Sequence, residues 1–134
     1  MSLHTKIEAD THPVCTTEFA YVRLMDDSRW PWIILVPKQS DAEELHDLTH
    51  SQREGFIADV NQVSRVMQVT TKCQSVNVAM LGNVVPQLHC HVVARNPGDP
   101  NWPAPIWGFE SALSYDDNLT SVQKLTNAIQ KSFF

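Results

Sequence analysis

Hydrophobic and polar positions along the chain fall into segments of two periods. From Thr17 to Leu24 the run Thr-Glu-Phe-Ala-Tyr-Val-Arg-Leu is rich in β-formers and partly alternating, which predicts a strand. Asp26-Asp27-Ser28-Arg29 has the composition of a turn. Trp30 to Val36 is an almost continuous apolar run, predicting a second strand buried on both faces, with Pro31 near its start, where proline is tolerated. Together the two strands make a hairpin.

Helical periods come next. Ser40-Asp41-Ala42-Glu43 is a capping-box pattern that predicts a short helix, and Thr49-His50-Ser51-Gln52 is a second that opens a longer one. On the longer helix Phe56, Ile57, Val60, Val63, Val66 and Met67 recur at three- and four-residue steps, an amphipathic stripe. Strands are predicted from Gln74 to Met80 and from Gln87 to Ala94, separated by a loop from Gly82 to Pro86. Asn96-Pro97-Gly98-Asp99-Pro100 ends the second of these, and a segment rich in proline and tryptophan runs from Trp102 to Gly108. A last helix starts near Asp117, with Leu119, Val122, Leu125 and Ile129 on one face. The order ββααββα with short connections predicts a single α+β domain over residues 1–134, with a mainly antiparallel sheet and helices packed on one side.

Size and composition change this picture little. A chain of 134 residues with 43% hydrophobic and 19% charged residues can bury a core of its own. The net charge of -5 argues against nonspecific nucleic-acid or membrane binding, so any phosphate must be held by local donors. Apolar runs are too short for a membrane span, and the start Met1-Ser2-Leu3-His4-Thr5-Lys6 lacks a signal peptide's apolar core. Cys15, Cys73 and Cys90 are odd in number and widely spaced, which suits reduced thiols in a cytoplasm.

Candidate chemistry is concentrated in Gln87-Leu88-His89-Cys90-His91-Val92-Val93. Imidazole or amide groups occupy every second position, so on a strand Gln87, His89 and His91 share one face and Leu88, Cys90 and Val92 the other. Side chains about 7 Å apart along a rigid strand can grip one phosphate group.

The motif and the order of elements resemble the histidine triad (HIT) superfamily of nucleotide hydrolases and transferases. Its signature is three histidines alternating with apolar residues near the end of a domain of this size. The resemblance covers roughly Thr17 to Arg95 and rests mainly on Gly82 to Arg95. It implies that His89 is the nucleophile attacking the α-phosphorus of a nucleotide and that His91 holds phosphate oxygens. Gln87 stands where the family has its first histidine; it is expected in the catalytic set as a supporting hydrogen-bond donor that orients neighbours or supports the loop, but it cannot carry a proton. Gly82-Asn83-Val84-Val85 matches the family's Gly-Gln-Ser/Thr-Val: Asn83 replaces the amide, and Val84 lacks the hydroxyl. Asn77 resembles an asparagine at the mouth of the site, and Asp26 lies where relatives place a ribose-contacting Asn or Asp. The resemblance also implies a homodimer, a nucleotide as the small-molecule partner, and chemistry that requires no metal or other cofactor. The substrate class it points to is a nucleoside phosphoramidate or a dinucleoside polyphosphate.

Plainer readings stand beside these. A catalytically silent nucleotide-binding protein keeps the fold and loses the chemistry, consistent with Gln87 and Val84. A metal site built on His89 and His91 needs a further, remote ligand. His46 and His50 are four apart, but the capping box at Thr49 separates them into different elements. Cys90 reads as core, Trp107 as packing on the sheet or a dimer interface, and Arg95 as a surface ion-pair residue.

Overall fold

The computed structural model describes residues 2–134. Its elements are α1 (Thr5–Asp10), β1 (Thr11–Thr16), β2 (Ala20–Met25), β3 (Trp32–Pro37), α2 (His50–Thr71), β4 (Ser75–Ala79), β5 (Cys90–Arg95) and α3 (Gln123–Phe133). The five strands form one sheet in the order β1-β2-β3-β5-β4, with every neighbouring pair antiparallel. This is the expected α+β architecture. Among the described residues no helix is long and apolar enough to cross a membrane.

The hairpin of β2 and β3 pairs Tyr21 with Val36 and Arg23 with Ile34. As the continuous apolar run implies, β3 is buried on both faces. Ile33 and Leu35 join the main core beneath the long helices, and Ile34 and Val36 join a smaller cluster on the opposite face. The second capping box forms as expected: Thr49 Oγ1 accepts from the Gln52 amide, and the Gln52 side chain accepts from the Thr49 amide. Phe56, Val60, Val63 and Met67 then face the core, each contributing on the order of 2 kcal/mol by burial. Ile57 is displaced from the expected stripe to the surface, at 40% exposure. Gly55 meets Phe19 of the β1–β2 turn, where even a Cβ would clash with the ring.

Several boundaries differ from the expectation, for local reasons. No helix forms at Ser40–Glu43. The capping box in this region joins Glu44 and Asp47 instead, around a single 3-10 turn at Leu45–Asp47. His46 lies in that turn and His50 in α2, so the two histidines belong to separate elements. The last helix begins at Gln123, after a 3-10 turn at Thr120–Val122 that follows Leu119 in the left-handed region (φ 52°).

Two elements lie outside the expected order altogether. β1 is an edge strand with Pro13 and a register shift between Pro13 and Cys15, so it carries no clean alternation. α1 has six residues, of which one, Ile7, is a buried apolar anchor, too few to show a period. The long helices pack on one face of the sheet, and α1 packs on the other through Ile7, Ile34, Val36 and Val85.

Arg95 corrects the surface reading: it is 1% exposed. Its guanidinium makes paired 2.8 Å hydrogen bonds to Asp99 and a further bond to the Ala104 carbonyl. This pins the Pro-Trp segment over the outer face, where Trp30, Val93 and Ile106 form a third cluster. The Trp30 indole N–H adds a bond to the Pro100 carbonyl. Substituting Asp99→Ala leaves the buried guanidinium without its counter-charge, and urea denaturation is expected to show a loss of about 3 kcal/mol. A loss below about 1 kcal/mol, typical of an exposed pair, would contradict the buried-pair account.

Candidate active site

The ladder of β5 begins at Cys90, so Gln87, Leu88 and His89 form a lead-in to the strand rather than part of it. The Leu88 amide donates to the Ala42 carbonyl, which holds this lead-in against the preceding loop. Side-chain alternation nevertheless continues through it: Leu88, Cys90 and Val92 enter the main core. Burial pushes the Cys90 thiol up to about 12, so it stays protonated and serves as core.

His89 and His91 stand together on the outer face, with ring centroids 4.9 Å apart in an edge-to-face arrangement. Both are buried. His89 Nδ1 lies 2.7 Å from the carbonyl oxygen of Gln87. A carbonyl can only accept, so this nitrogen carries the proton, and in the neutral ring Nε2 keeps a free lone pair. His91 is held the other way round. Trp32 Nε1–H donates to His91 Nδ1 at 2.9 Å, so the proton of a neutral His91 sits on Nε2. Burial, and then the neighbouring His89, push His91 down to about 3, which keeps it neutral at ordinary pH. One ring thus offers a lone pair and the other an N–H donor.

These rings line a cavity of about 470 Å³, within the range of small-molecule sites. Its walls are largely apolar: Met25, Trp32 and Ile34 from the sheet, Ile7 from α1, Val85 from the loop and Trp107 from the Pro-Trp segment. Asn83 is at this cavity, as are Lys6 and Asp10 of α1. Trp107 therefore does more than pack on the sheet: its ring centroid is 5.4 Å from that of His91. Its indole nitrogen is buried without a hydrogen-bond partner among the described residues.

The other residues singled out in the sequence are placed apart from the two rings. Gln87 shares their stretch of chain, but its side-chain amide is occupied elsewhere. Oε1 accepts from the His4 amide at 2.6 Å, and Nε2 donates to the Ser2 carbonyl at 3.2 Å. Asp26 borders an adjoining cavity of about 420 Å³ that shares Lys6, Asp10, Met25, Trp32 and Gly108 with the first. Asp26 Oδ1 accepts from the Tyr115 amide and lies 3.0 Å from His12 Nε2, and the nearby His12 ring holds its carboxyl below the usual range. Asn77 is half-buried on β4 opposite Val93, on the same sheet face as His91. Among the described residues no group of three or more His, Cys, Asp or Glu side chains is gathered as a metal site would need.

Sequence reasoning missed Trp32 as a partner of His91, because their approach depends on which strands are neighbours. It also missed the contribution of α1, whose six residues carry no motif.

Comparison with known proteins bears on the family and the fold. The family model for the HIT domain matches residues 6–98. The fold superposes on the crystal structure of a histidine triad protein from Bradyrhizobium japonicum with a TM-score of 0.93 and 38% identity, covering 99% of this chain and 98% of that one. A histidine triad protein from Sinorhizobium meliloti gives 0.92 and 37%, covering 98% and 96% of the two chains. A diadenosine triphosphate hydrolase from Plasmodium falciparum shares the fold at a TM-score of 0.63 and 14% identity, over 98% of this chain and 78% of that one. No curated protein matches the sequence. On the family match and the close structural relatives, the chain belongs to the histidine triad family, whose members bind nucleotides and act as hydrolases or transferases.

Proposed function

We propose that the protein cleaves a nucleoside phosphoramidate or a dinucleoside polyphosphate at the α-phosphorus through a nucleotidyl-histidine intermediate. The observation that carries this reading is the opposite tautomers of two adjacent rings. His89 has its proton tied to the Gln87 carbonyl and a bare Nε2; His91 has its acceptor nitrogen tied to Trp32 and an N–H on Nε2. His89 Nε2 attacks phosphorus, and a P–N bond forms as the bond to the leaving group breaks. His91 Nε2–H donates to a nonbridging oxygen as charge builds there, and as a neutral donor it needs no proton from solvent to do so. Water then cleaves the P–N bond and releases the nucleoside monophosphate.

In this reading Asn83 gives a hydrogen bond at the phosphate, the apolar walls take the base, and Asp26 meets the ribose from the adjoining cavity. Asn77 serves the mouth of the site from β4. The protein from Plasmodium that shares this fold acts on diadenosine triphosphate, which makes such dinucleotides the natural first substrates to try. A homodimer belongs to the same reading: β4 ends the sheet and leaves Val78 49% exposed, a surface that a second copy can cover.

Intact-protein mass spectrometry after brief mixing with adenosine and guanosine phosphoramidates and dinucleoside polyphosphates tests the mechanism. A nucleoside-monophosphate adduct is expected on the native chain, and none on His89→Ala, whose turnover falls by at least about a thousandfold. Nucleotide binding without adduct or product would instead make the protein a silent nucleotide binder.

Nitrogen-detected NMR tests the state of His91. In the free protein its ring is expected to stay neutral, with the proton on Nε2, from pH 8 down to 5, and Trp32→Phe is expected to populate the other tautomer. Unfolding frees the ring to take a proton near its usual value of 6.5. Stability due to this group is therefore present above about 6.5 and lost as pH falls towards 3. Titration of the native ring near 6.5 would contradict the neutral-donor role.

A further inference from the structure

We infer that Gln87 is a positioning residue for a strap, residues 2–10, that forms one wall of the histidine cavity, so that its amide acts on substrate affinity through the strap rather than on the phosphate. The inference rests on the nucleotide-cleaving reading for its kinetic consequence, but its structural basis is separate. Both polar atoms of the Gln87 side chain are engaged by backbone of the strap: Oε1 by the His4 amide and Nε2 by the Ser2 carbonyl. The residue is 7% exposed, so little of it is left for another partner.

From that anchor the chain enters α1 directly. His4 caps the helix, its Nδ1 accepting from the Lys6 amide at 3.1 Å. One turn on, Ile7 is 4% exposed against Ile34 and Val85, which are themselves walls of the cavity. Lys6 and Asp10 pair at 2.8 Å and border both the histidine cavity and its neighbour. At the far end the Thr11 hydroxyl donates to the Ile7 carbonyl, tying α1 to β1. A six-residue helix is far too short to persist by itself, so its place depends on Ile7 and on its two ends. An amide suits the near end because it donates and accepts at once, in the two directions the strap backbone requires.

The two ends of the anchor can be cut separately. Gln87→Ala removes it from the site side. His4→Pro removes the donating N–H from the strap side, at a residue whose φ of -54° suits proline. His4→Ala keeps that N–H and removes only the cap. Hydrogen exchange of the amides of residues 4–10 in the free protein is expected to quicken by about tenfold in Gln87→Ala, as loss of one or two hydrogen bonds implies. The remaining amides of the strap are expected to quicken similarly in His4→Pro. In steady-state cleavage both variants are expected to raise KM about five- to tenfold with kcat within about twofold of native, and His4→Ala, which loses the cap but keeps the anchor, to raise KM less than His4→Pro does. Unchanged exchange overturns the strap, and faster exchange with unchanged KM overturns its role as a wall. A fall in kcat with KM unchanged in Gln87→Ala overturns the inference by placing the amide at the reacting phosphate. A native protein that neither cleaves nor binds these nucleotides overturns the nucleotide reading instead, and the exchange comparison still decides the strap.

Discussion

The antiparallel pairing of β3 with β5 is the constraint on which the site depends. Its register sets Ile34 opposite His91 and Trp32 opposite Val93. Trp32 therefore lies diagonally across from His91 on the same face, close enough for its indole N–H to reach Nδ1. A slip of one residue would turn His91 into the helix-covered core and bring Cys90 out. The continuous apolar run of β3 resists such a slip, since both its faces are already filled by separate clusters.

The outer face is closed by pieces with little regular structure. The segment after β5 is drawn down by Arg95, which makes hydrogen bonds to Asp99 and to the Ala104 carbonyl. Arg29 does the same from the hairpin side, paired with Asp27, hydrogen-bonded to the Phe109 carbonyl and stacked 4.3 Å over Trp30. The third piece, α1, comes from the other end of the chain. Each is held by a few polar contacts and one or two apolar anchors, whereas the helix-covered face is a continuous core. The cavity thus has a rigid floor made of sheet and walls made of short, locally tethered segments. In the proposed reading, that division fixes the two imidazoles more firmly than the groups that meet the rest of the substrate.

Much of this was legible in order along the chain. The alternation from Gln87 to Val93 correctly separated the outer-facing rings from Leu88, Cys90 and Val92. The stripe on α2 named four core residues, and the Thr49 capping box located the helix start. These signals are local: strand period, helix period and cap chemistry each depend on residues within a few positions. The failures were local signals overruled or missing. Ser40 carries a capping pattern without a helix behind it, while α1 and β1 are too short or irregular to show a period.

Sequence alone determined the class of fold, the face on which the imidazoles sit and the family they resemble, because those follow from residue type and spacing. Tertiary structure alone decided what each polar group does there. The state of His91 depends on an indole 59 positions away, the Gln87 amide is spent on a strap more than eighty residues earlier, and Arg95 is sealed beneath a loop. Hydrogen-bond partners and burial set tautomer, charge and availability, and both are properties of neighbours in space that no local pattern records.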